Sequence, residues 1–245
     1  MIQQIGPEVL RRFDPLAVSP LARDRTYYYF CKRALDVTVA ILILMILLPL
    51  LALIAVSIAI DSPGPIIYVQ KRVGARRWSR AGYSYWKQNT FDFYKFRTMV
   101  PNADPSLHQA FVTAFIKERG DASDPQRVKF KLTGDPRVTR IGRILRKTSL
   151  DELPQLVNVL KGDMSLVGPR PAMPYEVALY QEHHKRRFQI YSGMTGWWQV
   201  MGRSQVTFDE MCRLDAYYIE NASLGLDFKI LLLTPRAVIS GRGAA

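Results

Sequence analysis

Cysteine is nearly missing from this 245-residue chain: Cys31 and Cys212 stand far apart and without metal-ligand spacing. No disulfide framework is implied, and the two read as ordinary reduced thiols of a protein that faces the cytoplasm. Repeats of fixed period and low-complexity tracts are also lacking, which excludes solenoids and arrays. Acidic residues are scarce beside basic ones, 21 Asp+Glu against 34 Lys+Arg, for a formal charge of +13. Such an excess suits nucleic acid, anionic lipid or phosphorylated substrates alike and does not choose among them. Long apolar runs are absent except for one. It begins too late, is too long and lacks an A-x-A-like exit for a cleaved leader, so it is expected to remain in the mature protein.

That run is Val37 to Ile60, 24 uncharged residues bounded by Asp36 and Asp61, with Pro49 near its middle. As a helix it reaches roughly 36 Å, enough for a hydrocarbon core of about 30 Å. Pro49 has no N–H for the carbonyl of Met45, and its ring presses on the preceding turn, so a bend is expected there. Arg23, Arg25, Lys32 and Arg33 precede the run, and Lys71, Arg72, Arg76, Arg77 and Arg80 follow it. Basic flanks prefer the cytoplasmic side, and here both ask for it. A helix hairpin that enters about one leaflet, turns at Leu48–Pro49 and returns satisfies both flanks. A single kinked span is the other reading, since proline is tolerated where its freed carbonyl finds a partner.

The expected organisation is a polar lead-in over 1–30, a membrane helix over 31–62 and a catalytic part over 63–245. "DSPGP" (61–65) is a turn. Two stretches rich in β-branched and aromatic residues, "IIYVQKRVG" and "YSYWKQNTFDFYKFRTM", predict a hairpin or small sheet. Between 101 and 135 one short helical pattern, "LHQAFVTAFIKER", sits among loop signals. In 135–148, Val138, Ile141, Ile144 and Leu145 share one side of a helix, and Arg140, Arg143 and Arg146 fan over another. This is a basic amphipathic helix, suited either to a solvated face or to the lipid headgroup layer. Ser149 and Glu152 form an S-x-x-E capping box, followed by Leu153, Leu156, Val157 and Leu160 at helical spacing until Gly162. The fold class is therefore α+β, mainly helical, with a re-entrant membrane helix, interfacial amphipathic helices and a small β element.

Asp151 and Glu152 thus fall at a helix start. Adjacent acids there commonly complement the helix dipole, yet an ionised carboxylate in such a place can also hold a divalent cation or attack phosphorus. "GPRP" (168–171) restrains the backbone on both sides of Arg170, and "GMTGWWQVMGR" (193–203) carries Arg203 behind paired tryptophans. An arginine fork matches phosphate oxygens, although a carboxylate partner serves each arginine equally well.

"KFRTM" (95–99), "DPRVTRIG" (135–142), "TSLDELPQLVNVLKGDMSLVGPRP" (148–171), "TGWWQVMGR" (195–203) and "LDAYYIEN" (214–221) occur in one order. In these motifs the chain resembles the bacterial sugar transferase family, the monotopic polyprenyl-phosphate phosphoglycosyl transferases, from about Arg33 to Thr234. The resemblance implies a helix re-entering at a Ser-Pro bend. It also implies a two-step transfer, in which Asp151 attacks the β-phosphate of a nucleotide-diphosphate sugar, UMP leaves, and a polyprenyl phosphate takes the phosphosugar. It assigns Mg²⁺ to Asp151 and Glu152, charge compensation to Arg170 and Arg203, and phosphate contacts to Lys95 and Arg97. Asp215 and Asp227 match acidic positions of the family, for which structural salt bridges are an equal reading. In this chain Leu48 stands where the family has serine before the proline, and Ser192 where it commonly has proline. The implied partners are membrane lipid and the two substrates, not nucleic acid, with a homo-oligomer left open; the implied place is the cytoplasmic face of a bacterial inner membrane. A membrane-anchored anion- or nucleic-acid-binding protein without catalysis is the competing reading, in which Asp151 is dispensable.

Overall fold

The apolar run folds as its composition asks, and further. In the computed structural model, which describes residues 25–80, 83–101, 103–104, 106–117, 135–201 and 206–239, helix α1 covers Thr26–Asp61 and contains Pro49. Its 36 residues correspond to about 54 Å. It is the one helix among the described residues that is long and apolar enough to cross a membrane. The helix is continuous through Pro49; one missing backbone bond is a small loss within so long a ladder. Lys32, Asp36, Ala40, Ile54 and Ile58 form its buried side. Met45, Ile46, Leu48 (64% exposed) and Leu53 face outward.

Both ends of α1 are fastened to the same folded body. Toward its start Lys32 pairs with Asp227 at 2.9 Å, Arg33 donates to the carbonyl of Leu160 at 2.8 Å, and Asp36 accepts from the Leu166 amide at 3.0 Å. Toward its end Arg97 donates to the carbonyls of Ile58, Ser62 and Pro63, and Asp61 accepts from the Ile141 amide at 3.2 Å.

The expected hairpin is long: β1, Ile67–Arg80, pairs antiparallel with β2, Tyr83–Phe96, over every residue of both strands. Its edges are sewn to the body. Asn158 accepts from the Tyr94 amide and donates to the Asp92 carbonyl on one edge. On the other edge Val73 exchanges both backbone bonds with Ala172, at 2.8 and 3.0 Å. Helix α2, Ser106–Lys117, is the helical pattern expected within 101–135.

Helix α3, Arg140–Thr148, begins at Thr139, whose hydroxyl caps the Gly142 amide at 3.0 Å. Leu145 and Gly142 are buried, but Ile144 is 58% exposed, so the expected apolar stripe is narrower than its sequence suggests and Ile144 lies out with the arginines. The capping box does not form. Ser149 adopts the left-handed region at φ 57° and closes α3, and no side-chain cap is made. Leu150–Glu152 is a 3₁₀ turn, and α4, Gln155–Lys161, starts only after Pro154. With so few residues between the helices, Ser149 is consumed in stopping the first.

Strand β3, Ser165–Val167, runs parallel to β4, Gly193–Thr195. The two loops beyond them touch backbone to backbone: a Cβ on Gly193 would lie 2.1 Å from the Gly168 amide nitrogen, so neither motif tolerates a side chain there. Helices α5 (Pro174–Val177), α6 (Trp197–Met201), α7 (Phe208–Asn221) and α8 (Leu224–Ile239) complete the order. A 3₁₀ segment, Glu182–Phe188, lies between α5 and β4. One core joins α1, the hairpin, α4 and α7; a smaller cluster joins Ile54, Ile58, Phe96 and Leu145 with Leu150 at its edge.

Candidate active site

The short turn between α3 and α4 presents Asp151, which is 8% exposed. Burial, and next the charge of Glu152, push its carboxyl up to about 6, while Lys95, Arg146 and Arg170 act the other way. Lys95, at the end of β2, has its Nζ 5.4 Å from the centre of the Tyr68 ring. Burial brings its ammonium down to about 8; Asp151 supports the charge, and Arg72, Arg146 and Arg170 oppose it. A carboxylate hard to ionise and an amine easy to discharge thus face each other at neutral pH, as is common where side chains do chemistry.

Glu152 is held by a two-pronged bond from Arg170, at 2.7 and 3.2 Å. Burial works against the Arg170 charge, and Glu152 followed by Asp151 more than restore it. Behind it stands a relay of fixed charges. Arg187 donates to the Arg170 carbonyl at 3.3 Å and to buried Asp215 at 2.7 Å. Asp215 is therefore a positioning acid, one step removed from Arg170. Asp227 is a structural acid as well, receiving Lys32, Tyr28 and Tyr218 at 2.9, 2.9 and 2.6 Å.

Of the residues singled out from the motifs, Asp151, Glu152, Lys95 and Arg170 come together. Arg97 is bound elsewhere in this structure: its two terminal nitrogens donate to three carbonyls at the foot of α1, which makes it a fastener of that helix. Arg203 lies outside the described residues. Trp198 is buried in the core, and Trp197 stacks on Tyr217 at 5.6 Å.

Sequence reasoning passed over three neighbours. Arg146 reads from its spacing as one of a fan of arginines toward solvent or lipid headgroups, yet its charge acts on both Asp151 and Lys95. Arg72 counted only as a basic flank. His108 on α2 lies 3.1 Å from the Tyr175 hydroxyl; burial, then Arg72, Lys95 and Arg146, bring it down to about 4, so it is neutral at pH 7. No local spacing connects these residues, which come from β1, α2 and α3.

Two adjacent carboxylates are a hard-oxygen set of the kind that holds Mg²⁺ together with substrate phosphates. The repulsion between them, visible in Asp151, is what a cation would relieve. Among the described residues one other group could ligate a metal, His183, His184 and Asp209. There the Nδ1 of His184 accepts the Gln181 amide at 3.1 Å, which puts the ring proton on Nε2, and that proton goes to Asp209 at 2.8 Å. The trio is a bracket between the 3₁₀ segment and α7, with its nitrogen already committed.

The chain matches the family described as bacterial sugar transferase over residues 27–241. It is 40% identical over 245 residues to the galactosyl transferase CpsE of Streptococcus agalactiae, covering 98% of this chain and 49% of that protein. It is 41% identical over 215 residues to an undecaprenyl-phosphate galactose phosphotransferase of Salmonella typhimurium, covering 88% and 42%. To the exopolysaccharide production protein ExoY of Sinorhizobium fredii it is 38% identical over 213 residues, 87% of each. The chain thus spans about half the length of the first two relatives and most of the third.

Proposed function

The chain belongs to the bacterial sugar transferase family, and from that premise we propose that it moves a sugar-1-phosphate from a nucleotide-diphosphate sugar, a UDP-sugar by expectation, to a polyprenyl phosphate. The observation that carries the reading is the place of Asp151. It is a buried carboxylate on which three cations act, Lys95, Arg146 and Arg170, next to Leu150, which packs with Ile54 and Ile58 at the foot of the apolar helix. A water-soluble donor and a lipid-borne acceptor can both visit such a spot, one after the other.

In the first step an Asp151 oxygen attacks the β-phosphorus, and the bond from that phosphorus to the bridging oxygen breaks. UMP leaves with the electron pair, and an aspartyl phosphosugar remains. In the second step an oxygen of the polyprenyl phosphate attacks the same phosphorus, and the carboxylate is returned. Splitting the transfer removes the need to hold both substrates at once. Lys95 supports the ionised form of Asp151 and faces the incoming phosphate; Arg170 offsets the charge that develops on phosphoryl oxygens. Glu152 and Asp151 would hold Mg²⁺, which when bound offsets the diphosphate's negative charge.

Helix α1 would act as a monotopic anchor in the cytoplasmic leaflet of a bacterial inner membrane. A helix whose two ends both bond to one body keeps both on that body's side, and its exposed middle residues would then meet lipid, with Leu48–Pro49 as the deepest point.

The test is intact-mass measurement of the purified chain given UDP-sugars and Mg²⁺ without acceptor. An adduct with the mass of the phosphosugar, mapped to position 151 and absent in Asp151→Asn, is the expected result, with loss of UMP release in that variant. Normal turnover in Asp151→Asn overturns the reading and leaves an anion-binding membrane protein in its place.

A further inference from the structure

Arg72 is buried and serves none of the steps above. It projects from β1 at 6% exposure. Its one described hydrogen bond runs from Nη1 to the Pro171 carbonyl at 3.2 Å, and its Nε is buried without a partner. The guanidinium lies over the Phe93 ring, 5.1 Å from its centre. No ion pair to a carboxylate is made by Arg72 among the described residues. Glu176 is the acid that supports its charge most, but from beyond ion-pair distance, while Arg170 opposes it.

An arginine does not escape burial by losing its proton, so one without an anionic partner in such a place is a standing cost unless something anionic arrives. The surroundings worsen that cost. Lys95 and Arg170 share the neighbourhood, and burial together with the same cationic field keeps His108 neutral. Arg170 already gives its fork to Glu152. Arg72 therefore offers an unclaimed donor edge, and a planar guanidinium edge fits two oxygens of one phosphate.

Its position relative to Asp151 is rigid. Val73, the next residue, is locked to Ala172 by the paired backbone bonds, so Arg72 and the loop bearing Arg170 move as one piece. Arg170 acts on Asp151 and on Arg72, whereas the charges that dominate Asp151 do not include Arg72. Arg72 and Arg170 also line a common cleft that runs toward Phe115 and Phe208 and does not include Asp151. Arg170 thus joins the acidic pair, through its fork on Glu152, to the cleft that Arg72 lines, which suits a diphosphate with one phosphate at each arginine.

We propose that Arg72 binds the phosphate that leaves with the nucleotide, and so forms with Arg170 a two-arginine clamp on the donor's diphosphate. This rests on the transfer reaction proposed above. Arg72 holds the phosphate through the Nε edge, releases it with the nucleotide after the first step, and makes no demand on the acceptor.

The test measures UMP binding by calorimetry and steady-state kinetics on the full chain in lipid discs. It compares the parent with Arg72→Met, which removes the fork at similar length, and Arg72→Lys, which keeps only a point charge. The expected outcome for Arg72→Met is at least 10-fold weaker UMP binding and at least a 30-fold lower kcat/KM for the donor. The KM for polyprenyl phosphate should stay within about 2-fold and thermal stability should be unchanged or higher, with Arg72→Lys intermediate. Unchanged UMP binding and donor kinetics overturn the clamp. So does a loss shared equally by donor, acceptor and thermal stability, which marks a purely structural residue, or a loss confined to polyprenyl phosphate, which assigns Arg72 to the acceptor. If the parent itself neither binds UMP nor releases it from any UDP-sugar, the transfer reaction fails and the clamp with it.

Discussion

Asp151 carries its charge at neutral pH in a place that resists charge. Its carboxyl, pushed up to about 6 by burial and by Glu152, must be ionised to attack phosphorus, so activity should rise as pH passes upward through about 6. Lys95, brought down to about 8 by burial, must stay protonated to face phosphate, so activity should fall above about 8. A bell-shaped kcat/KM profile for the donor with those two limbs is expected, and Lys95→Arg should move only the alkaline one. Asp151 has a stability consequence of opposite sign. Because the folded carboxyl titrates above the unfolded one, ionisation weighs on the native state above pH 6 and not below about pH 4. Asp151→Asn should therefore stabilise the fold by about 1 to 3 kcal/mol at pH 7.5, and the gain should vanish as pH falls from 6 to 4 in denaturant titrations. A gain independent of pH would show that the carboxylate is not under that strain.

At the scale of elements, α3 decides where the acidic pair stands. Its Gly142 lies against the end of the hairpin: a Cβ there would be 2.1 Å from the Thr98 carbonyl oxygen, the same oxygen that accepts from the Thr139 amide at 3.1 Å. Helix propensity alone would reward Gly142→Ala by about 1 kcal/mol. The backbone contact outweighs it, and a loss of about 2 to 4 kcal/mol is expected in thermal or chemical unfolding. Activity should fall too, since Leu150 and Asp151 hang from the end of that helix. Much of α3 was readable, from its arginine spacing and Thr139. The capping box was not, because S-x-x-E reports a local preference, and the nearness of α3 turned Ser149 into a terminator. Arg97 shows the same limit: its partners lie 34 to 39 residues away, beyond any local pattern.

At the scale of the whole molecule, the two fastened ends of α1 are what the proposed same-side topology rests on. With Cys31 and Cys212 replaced, single cysteines at Tyr27 and Ser79, one before and one after the apolar run, should both react with a membrane-impermeant maleimide only in inside-out vesicles. Labelling of Tyr27→Cys from the outer face alone would establish a true span. The chain's own residues determined that an apolar helix exists, that an acidic pair and GPRP recur at spacings shared with one family, and that basic charge lies on both flanks. Those are properties of neighbours along the chain, written in hydrophobicity, spacing and backbone preference. Tertiary structure alone decided that Arg170 grips Glu152, that Arg97 fastens a helix, that Asp215 and Asp227 are paired, and that Arg72 stands unpaired beside the site. Each depends on charges brought together from distant segments, and only burial in a common interior makes such charges choose their partners.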